Sequence, residues 1–101
     1  MRAAIRFLRS DKAADYSLDT ERITVGGFSA GAITALNLAY SDKYGEGKSG
    51  NPGFPSNPNG VFSIAGSLDS KYVDNIGASE GQPPVILLHG TKDPRINYAK
   101  S

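Results

Sequence analysis

Between residues 23 and 40 the chain changes from strand-forming to helix-forming residues across two glycines and a serine. Ile23-Thr24-Val25 is short, β-branched and apolar, the composition of a buried strand, and Gly26-Gly27 is expected to end it. Ala30–Tyr40 is built of helix formers, with Ile33, Leu36 and Tyr40 at spacings of three and four. Two more short apolar runs follow, Val61–Ala65 and Val85–Leu88, separated by polar and glycine-rich sequence. Val85–Leu88 is apolar at every position, as a parallel strand covered on both faces tends to be. Strands alternating with helices point to an α/β fold with a parallel sheet and right-handed crossovers.

The flanks fit this reading. Arg2–Arg9 shows an amphipathic helical pattern, with Ala4, Ile5 and Leu8 on one face and Arg2, Arg6 and Arg9 on another, the latter expected to be solvated. Ser10–Arg22 has room for one or two helical turns around Ala13 and Ala14. Asp42–Gly60 is rich in Gly, Pro, Asn and Ser and reads as a long loop. Loops of that length often carry function, so it is expected near the site, shaping a substrate pocket. Ser70–Ile76 suggests a short helix with Tyr72, Val73 and Ile76 on its apolar side, and Arg95–Ser101 the opening of another. The first helix lacks a capping residue and the last has no room to finish, so the 101 residues are read as one incomplete domain.

Composition removes whole classes of function. Eleven Lys/Arg against ten Asp/Glu leave a net charge of +1, without the basic excess of a nucleic-acid binder. No apolar run approaches the ~20 residues that span a bilayer, so no membrane span is expected. Zero cysteines exclude a disulfide framework, a thiolate metal site and a thiol nucleophile. Gly47-Lys48-Ser49 ends like a phosphate-binding loop, but Asp42 stands where that motif needs its first glycine. The carboxylates fall into no metal-binding spacing, and neither metal nor cofactor is expected.

Gly27-Phe28-Ser29-Ala30-Gly31 fits G-x-S-x-G. A serine hydroxyl is a weak nucleophile until a base takes its proton, and it must stand clear of the sheet to reach a carbonyl. A sharp strand-to-helix turn lifts it there at the cost of a strained backbone. Neighbouring backbone then passes so close that Gly27 and Gly31 are expected to be needed for want of a Cβ. The amide of Ala30, at the positive end of the helix dipole, would be an oxyanion donor. The alternative is a glycine-rich turn in which Ser29 merely caps the helix.

A second cluster, Leu88-His89-Gly90-Thr91-Lys92-Asp93-Pro94, follows the third strand, and the carboxyl ends of parallel strands are where α/β sheets place their chemistry. Asp93 would orient and charge-stabilise a histidine; the alternative is a turn aspartate chosen for backbone reasons. Asp69, in the loop after the second strand, is the other candidate acid. His89 is read chiefly as a partly buried residue bonded to loop backbone, with a general-base role as the lesser possibility.

The serine pentapeptide after a strand, followed by a strand that ends in His89-Gly90-Thr91-Lys92-Asp93, resembles the α/β-hydrolase superfamily, most closely its esterase, lipase and carboxylesterase branch. The resemblance runs over nearly the whole chain. It implies that Ser29 is the nucleophile, Asp93 the acid and the Ala30 amide one oxyanion donor. It also implies that the three strands belong to a larger sheet with Ile23–Val25 near its centre, and that the substrate is a small-molecule ester cleaved through an acyl-enzyme. In that family the base histidine comes after the acid and a second oxyanion donor comes from far upstream. Neither is among these residues, so the isolated chain is expected to be inactive and to self-associate through an open sheet edge. A peptidase or thioesterase of the same fold, or a non-catalytic α/β binding module, are the competing readings.

Overall fold

The computed structural model describes residues 1–41, 45–69, 71 and 81–100. In chain order these form helix α1 (Arg2–Arg9), a single turn α2 (Lys12–Asp15), strand β1 (Thr24–Phe28), helix α3 (Ala30–Tyr40), strands β2 (Gly60–Ile64) and β3 (Val85–Leu88), and a 3-10 turn at Tyr98–Lys100. The strands make one parallel sheet in the order β1-β2-β3, so the fold is α/β, as the alternation of elements predicts. The helix expected at Ser70–Ile76 lies outside the described residues, Lys71 apart. No helix among the described residues is long and apolar enough to cross a membrane.

β1 does not stop at Gly26-Gly27. It continues to Phe28, each residue paired with β2 from Thr24↔Gly60 to Phe28↔Ile64. Glycine weakens a strand by entropy, but here it solves a packing problem. A Cβ on Gly27 would lie 2.6 Å from the carbonyl carbon of Gly31, and one on Gly26 would fall inside the ring of Phe62. The glycines let α3 press against one face of β1 and the Phe62 ring lie over the other.

α3 packs across β1 and β2. Ala32 and Ala35 are fully buried at this contact, and small residues there let the helix approach closely. Leu36, Tyr40, Val61 and Leu68 complete the core, with Val25 against it. The hydroxyl of Tyr40 donates to the Pro83 carbonyl at 2.6 Å, tying the end of α3 to the segment that leads into β3, and burial raises its pKa. β3 is not covered on both faces: all four of its residues are exposed, and α3 packs mainly on β1 and β2. The sheet face away from α3 is bare, with Phe28 70% and Ile86 65% exposed.

The arginines of α1 are not a solvated face. Arg6 is only 3% exposed. Its guanidinium donates to the carbonyls of Ser49 (2.6 Å), Glu46 (2.7 Å) and Gly50 (3.1 Å) and to the Glu46 carboxylate at 2.8 Å. Arg2 reaches Ser56 Oγ and the Leu38 carbonyl; Arg9 reaches the carbonyls of Thr20, Pro55 and Asn57. Ser56 Oγ closes the network by donating to Glu46 at 2.5 Å. A helical i, i+4 spacing puts Arg2 and Arg6 on one side, but only the tertiary structure supplies carbonyls for them to bind.

This clamp also corrects the expected position of the long loop. Asn59 donates its backbone N–H to the Ile23 carbonyl at 2.7 Å, and its side-chain oxygen accepts from the Ile23 amide at 3.0 Å. Residues 45–59 are thus tied to the amino end of β1. Ser29 stands at the carboxyl end of the same strand. A connection from a helix into the next parallel strand returns to the sheet's amino edge, so its length signals no part in shaping the serine site.

Candidate active site

The carboxyl edge of the sheet is where β1 and β2 leave their ladder. Ser29 keeps one more inter-strand bond, from its N–H to the Ile64 carbonyl at 2.9 Å, and then turns sharply at φ 52, ψ −117. That is disfavoured space for a residue with a Cβ. The first helical bond runs from the Ile33 N–H to the Ser29 carbonyl at 3.0 Å, so the amides of Ala30, Gly31 and Ala32 precede the α3 ladder. The Ser29 side chain makes no capping bond to them. The capping alternative therefore loses its basis: the hydroxyl is not spent on the helix.

The two glycines that flank the serine are not equivalent. Gly27 is needed because backbone of Gly31 and Ala32 lies within 2.9 Å of where its Cβ would be. At Gly31 a Cβ would meet nothing within 4 Å, contrary to the expectation that both positions must lack one. Gly27→Ala is expected to destabilise by about 1–3 kcal/mol through overpacking against backbone. Gly31→Ala is expected to be neutral or slightly stabilising, since alanine is the better helix former. Urea denaturation of the two variants side by side checks this; equal losses would contradict it.

A cleft of about 460 Å³ opens at this edge. Its lining includes Phe28, Ser29 and Ala65, from the ends of β1 and β2, and Gly90, Asp93 and Arg95, from the loop after β3. Ala65 is a second non-glycine residue at positive φ, 52°, with its N–H on the Leu88 carbonyl at 2.8 Å. The next residue, Gly66, admits no Cβ, which would come within 2.6 Å of the Ala32 methyl. The β2 corner thus rests on the first turn of α3. Sequence reading missed Ala65; its only trace is the small-residue pair Ala65-Gly66 directly after a strand.

Of the two candidate acids, Asp93 shares the cleft with Ser29 and Asp69 does not. Asp69 sits beside Lys71, 3.4 Å from its ammonium. Asp93 Oδ1 accepts the backbone amides of Arg95 (2.8 Å) and Ile96 (3.0 Å). Those two bonds, Ile96's first, hold its carboxyl below the ordinary value of 3.8, with a smaller contribution from His89. Its contribution to holding the loop is complete above that ordinary value and is lost as pH falls below it, through the lowered pKa. The carboxylate is ionised throughout the neutral range.

His89 is the loop-bonded residue the sequence suggested. Its side chain is 6% exposed. Since a carbonyl only accepts, Nε2 carries the proton it shares with the Ile96 carbonyl at 2.8 Å, and Asp93 Oδ2 lies 3.4 Å from the same nitrogen. The ring braces the Asp93 turn and does not line the cleft. Among the described residues, no three His, Cys, Asp or Glu side chains converge as a metal site would require.

Residues 1–75 match the family model for BD-FAE. The chain belongs to the BD-FAE family. BD-FAE is an esterase family of α/β-hydrolase type, in keeping with the resemblance and with the parallel sheet. The matched span includes the Ser29 turn and Asp69, while the loop that carries His89 and Asp93 follows it. No curated protein and no solved structure matched the chain significantly.

Proposed function

We propose that the protein carrying this BD-FAE sequence hydrolyses carboxylic esters with Ser29 as nucleophile and Asp93 as the acid of the triad. One observation carries the proposal: Ser29 is held at positive φ on a strand-to-helix turn, its hydroxyl unused as a cap, in a cleft it shares with an ionised aspartate. Strain of this kind persists only where surrounding structure over-determines it, and it concentrates at active sites.

In this mechanism Ser29 Oγ adds to the ester carbonyl carbon as a histidine base takes its proton. The amide of Ala30 donates to the oxyanion. The tetrahedral species collapses with cleavage of the bond to the alcohol, which leaves with the proton. Water then repeats the sequence on the acyl-enzyme and frees the acid. His89 is committed to the Ile96 carbonyl and is not the base. We place the base and the second oxyanion donor in other parts of the intact protein, and we therefore expect the 101-residue chain alone to hydrolyse esters poorly if at all.

Asp93→Asn is the test of the acid. Asparagine cannot hold the base histidine in the required tautomer, and the loss is expected to be on the order of 10⁴-fold in kcat on 4-nitrophenyl acetate. Asp69→Asn is expected to stay within about threefold, because its partner is a surface lysine. The reverse ranking would move the acid to Asp69.

A further inference from the structure

The proposed mechanism uses every polar group described in the cleft except one. Arg95 lines the cleft with Ser29. Its backbone amide binds Asp93 Oδ1, but its guanidinium has no carboxylate partner and no hydrogen bond among the described residues. The other arginines invite comparison: Arg2, Arg6 and Arg9 are each spent on backbone carbonyls, and Arg22 pairs with Asp19 at 3.2 Å.

The obvious counter-charge is Asp93, two residues away, but among the described residues its carboxylate makes no ion pair with the Arg95 guanidinium. One oxygen is saturated by two backbone amides and the other is turned toward His89. The remaining surroundings are favourable to an anion. The N-terminus of the eleven-residue α3 adds partial positive charge on the Ser29 side. Phe28, Pro94 and Ile96 add apolar surface to the lining of the cleft. A planar guanidinium binds a carboxylate by two parallel N–H···O bonds, a geometry that rewards that group above other acceptors.

We propose that Arg95 is a specificity-determining residue: it lines the cleft that holds Ser29, and its guanidinium, without a partner among the described residues, selects esters that carry a carboxylate. The assignment rests on the ester-hydrolase reading of Ser29. It adds the substrate's charge, which neither the G-x-S-x-G pattern nor the family sets.

The test uses the intact protein and two matched pairs of esters. One pair carries the charge on the acyl side: the 4-nitrophenyl monoester of hexanedioic acid against 4-nitrophenyl hexanoate. The other carries it on the alcohol side: 4-carboxyphenyl acetate against 4-carbamoylphenyl acetate. The quantity read is the ratio of kcat/KM within each pair, normalised to the parent protein, which cancels the intrinsic reactivity of each ester. Arg95→Gln is expected to lower the anionic-to-neutral ratio about five- to tenfold in at least one pair, and Arg95→Glu to lower it further. The preference of the parent protein should shrink as salt is raised from 50 mM to 0.5 M. Ratios that move less than twofold in both pairs, in a protein that still hydrolyses the neutral esters, overturn the role of Arg95 and leave Ser29 standing. No hydrolysis of any of the four esters by the parent protein would instead overturn the ester-hydrolase reading, and this inference with it.

Discussion

Replacing Ser29 with alanine in the intact protein is expected to cut kcat/KM for a neutral 4-nitrophenyl ester by on the order of 10⁴-fold or more, with little change in stability. The two halves of this expectation have one origin. The hydroxyl makes no capping bond, so removing it costs the helix nothing. Alanine keeps the Cβ, so it inherits the strain at φ 52 unchanged. Glycine relieves that strain, and Ser29→Gly is expected to be about 1–3 kcal/mol more stable than the parent while equally inactive. Parallel measurement of esterase rates and urea midpoints for the two variants checks both parts. A serine that served only as a helix cap would behave differently: alanine would lower the midpoint, and activity would survive.

Arg6→Ala is expected to be the most damaging single change away from the site. It removes the donors that three backbone carbonyls of the 45–59 loop share, at a position 3% exposed. Charged hydrogen bonds of this kind contribute roughly 1.5–3 kcal/mol each, but the loop can open to water once released, which caps the loss at about 3 kcal/mol. Glu46, itself well exposed, adds little as an ion pair. Arg6→Lys should rescue only part, because a lysine cannot reproduce the fork that binds Ser49, Gly50 and Glu46 together. Limited proteolysis provides the readout, with cleavage inside 45–59 appearing in the variant. Ser29 reactivity should be kept, since the loop is at the other end of β1. The same clamp responds to acid. The Ser56 hydroxyl, with Arg6 and Arg2, holds Glu46 below its ordinary value of 4.5, so the small Glu46 share of the clamp is complete above that value and is lost as pH falls through the lowered one.

The fold was legible where short-range physics decides it. β-branched and apolar runs marked all three strands, and helix formers marked α3 from Ala30 to Tyr40 with its observed bounds. The readings that failed depend on what lies across space. Gly26-Gly27 looks like a strand terminator until Phe62 and α3 are seen to occupy the space their side chains would fill. Val85–Leu88 looks like a central strand, but being apolar does not say whether a helix arrives to cover it. Arg2, Arg6 and Arg9 look solvated because their acceptors are carbonyls, which every sequence contains and none advertises.

The candidate site divides along the same line. The sharp turn at Ser29 and the need for glycine at 27 were readable because one turn of backbone sets both, whereas the freedom at Gly31 shows only in three dimensions. Asp93 was preferred over Asp69 on the resemblance alone; the structure adds that Asp93, from the loop after β3, lines the same cleft as Ser29. Arg95 read as the start of a helix. Its place in the lining of the same cleft follows from the Asx-type turn that Asp93 makes with the Arg95 and Ile96 amides.

The most direct test of the central claim is to treat the intact protein with a fluorophosphonate and locate the adduct by peptide mass spectrometry. A single phosphonyl group on Ser29, absent from Ser29→Ala and formed at a rate that falls sharply in Asp93→Asn, is the predicted result. An adduct on another serine, or undiminished ester hydrolysis with Ser29 unmodified, would contradict the account.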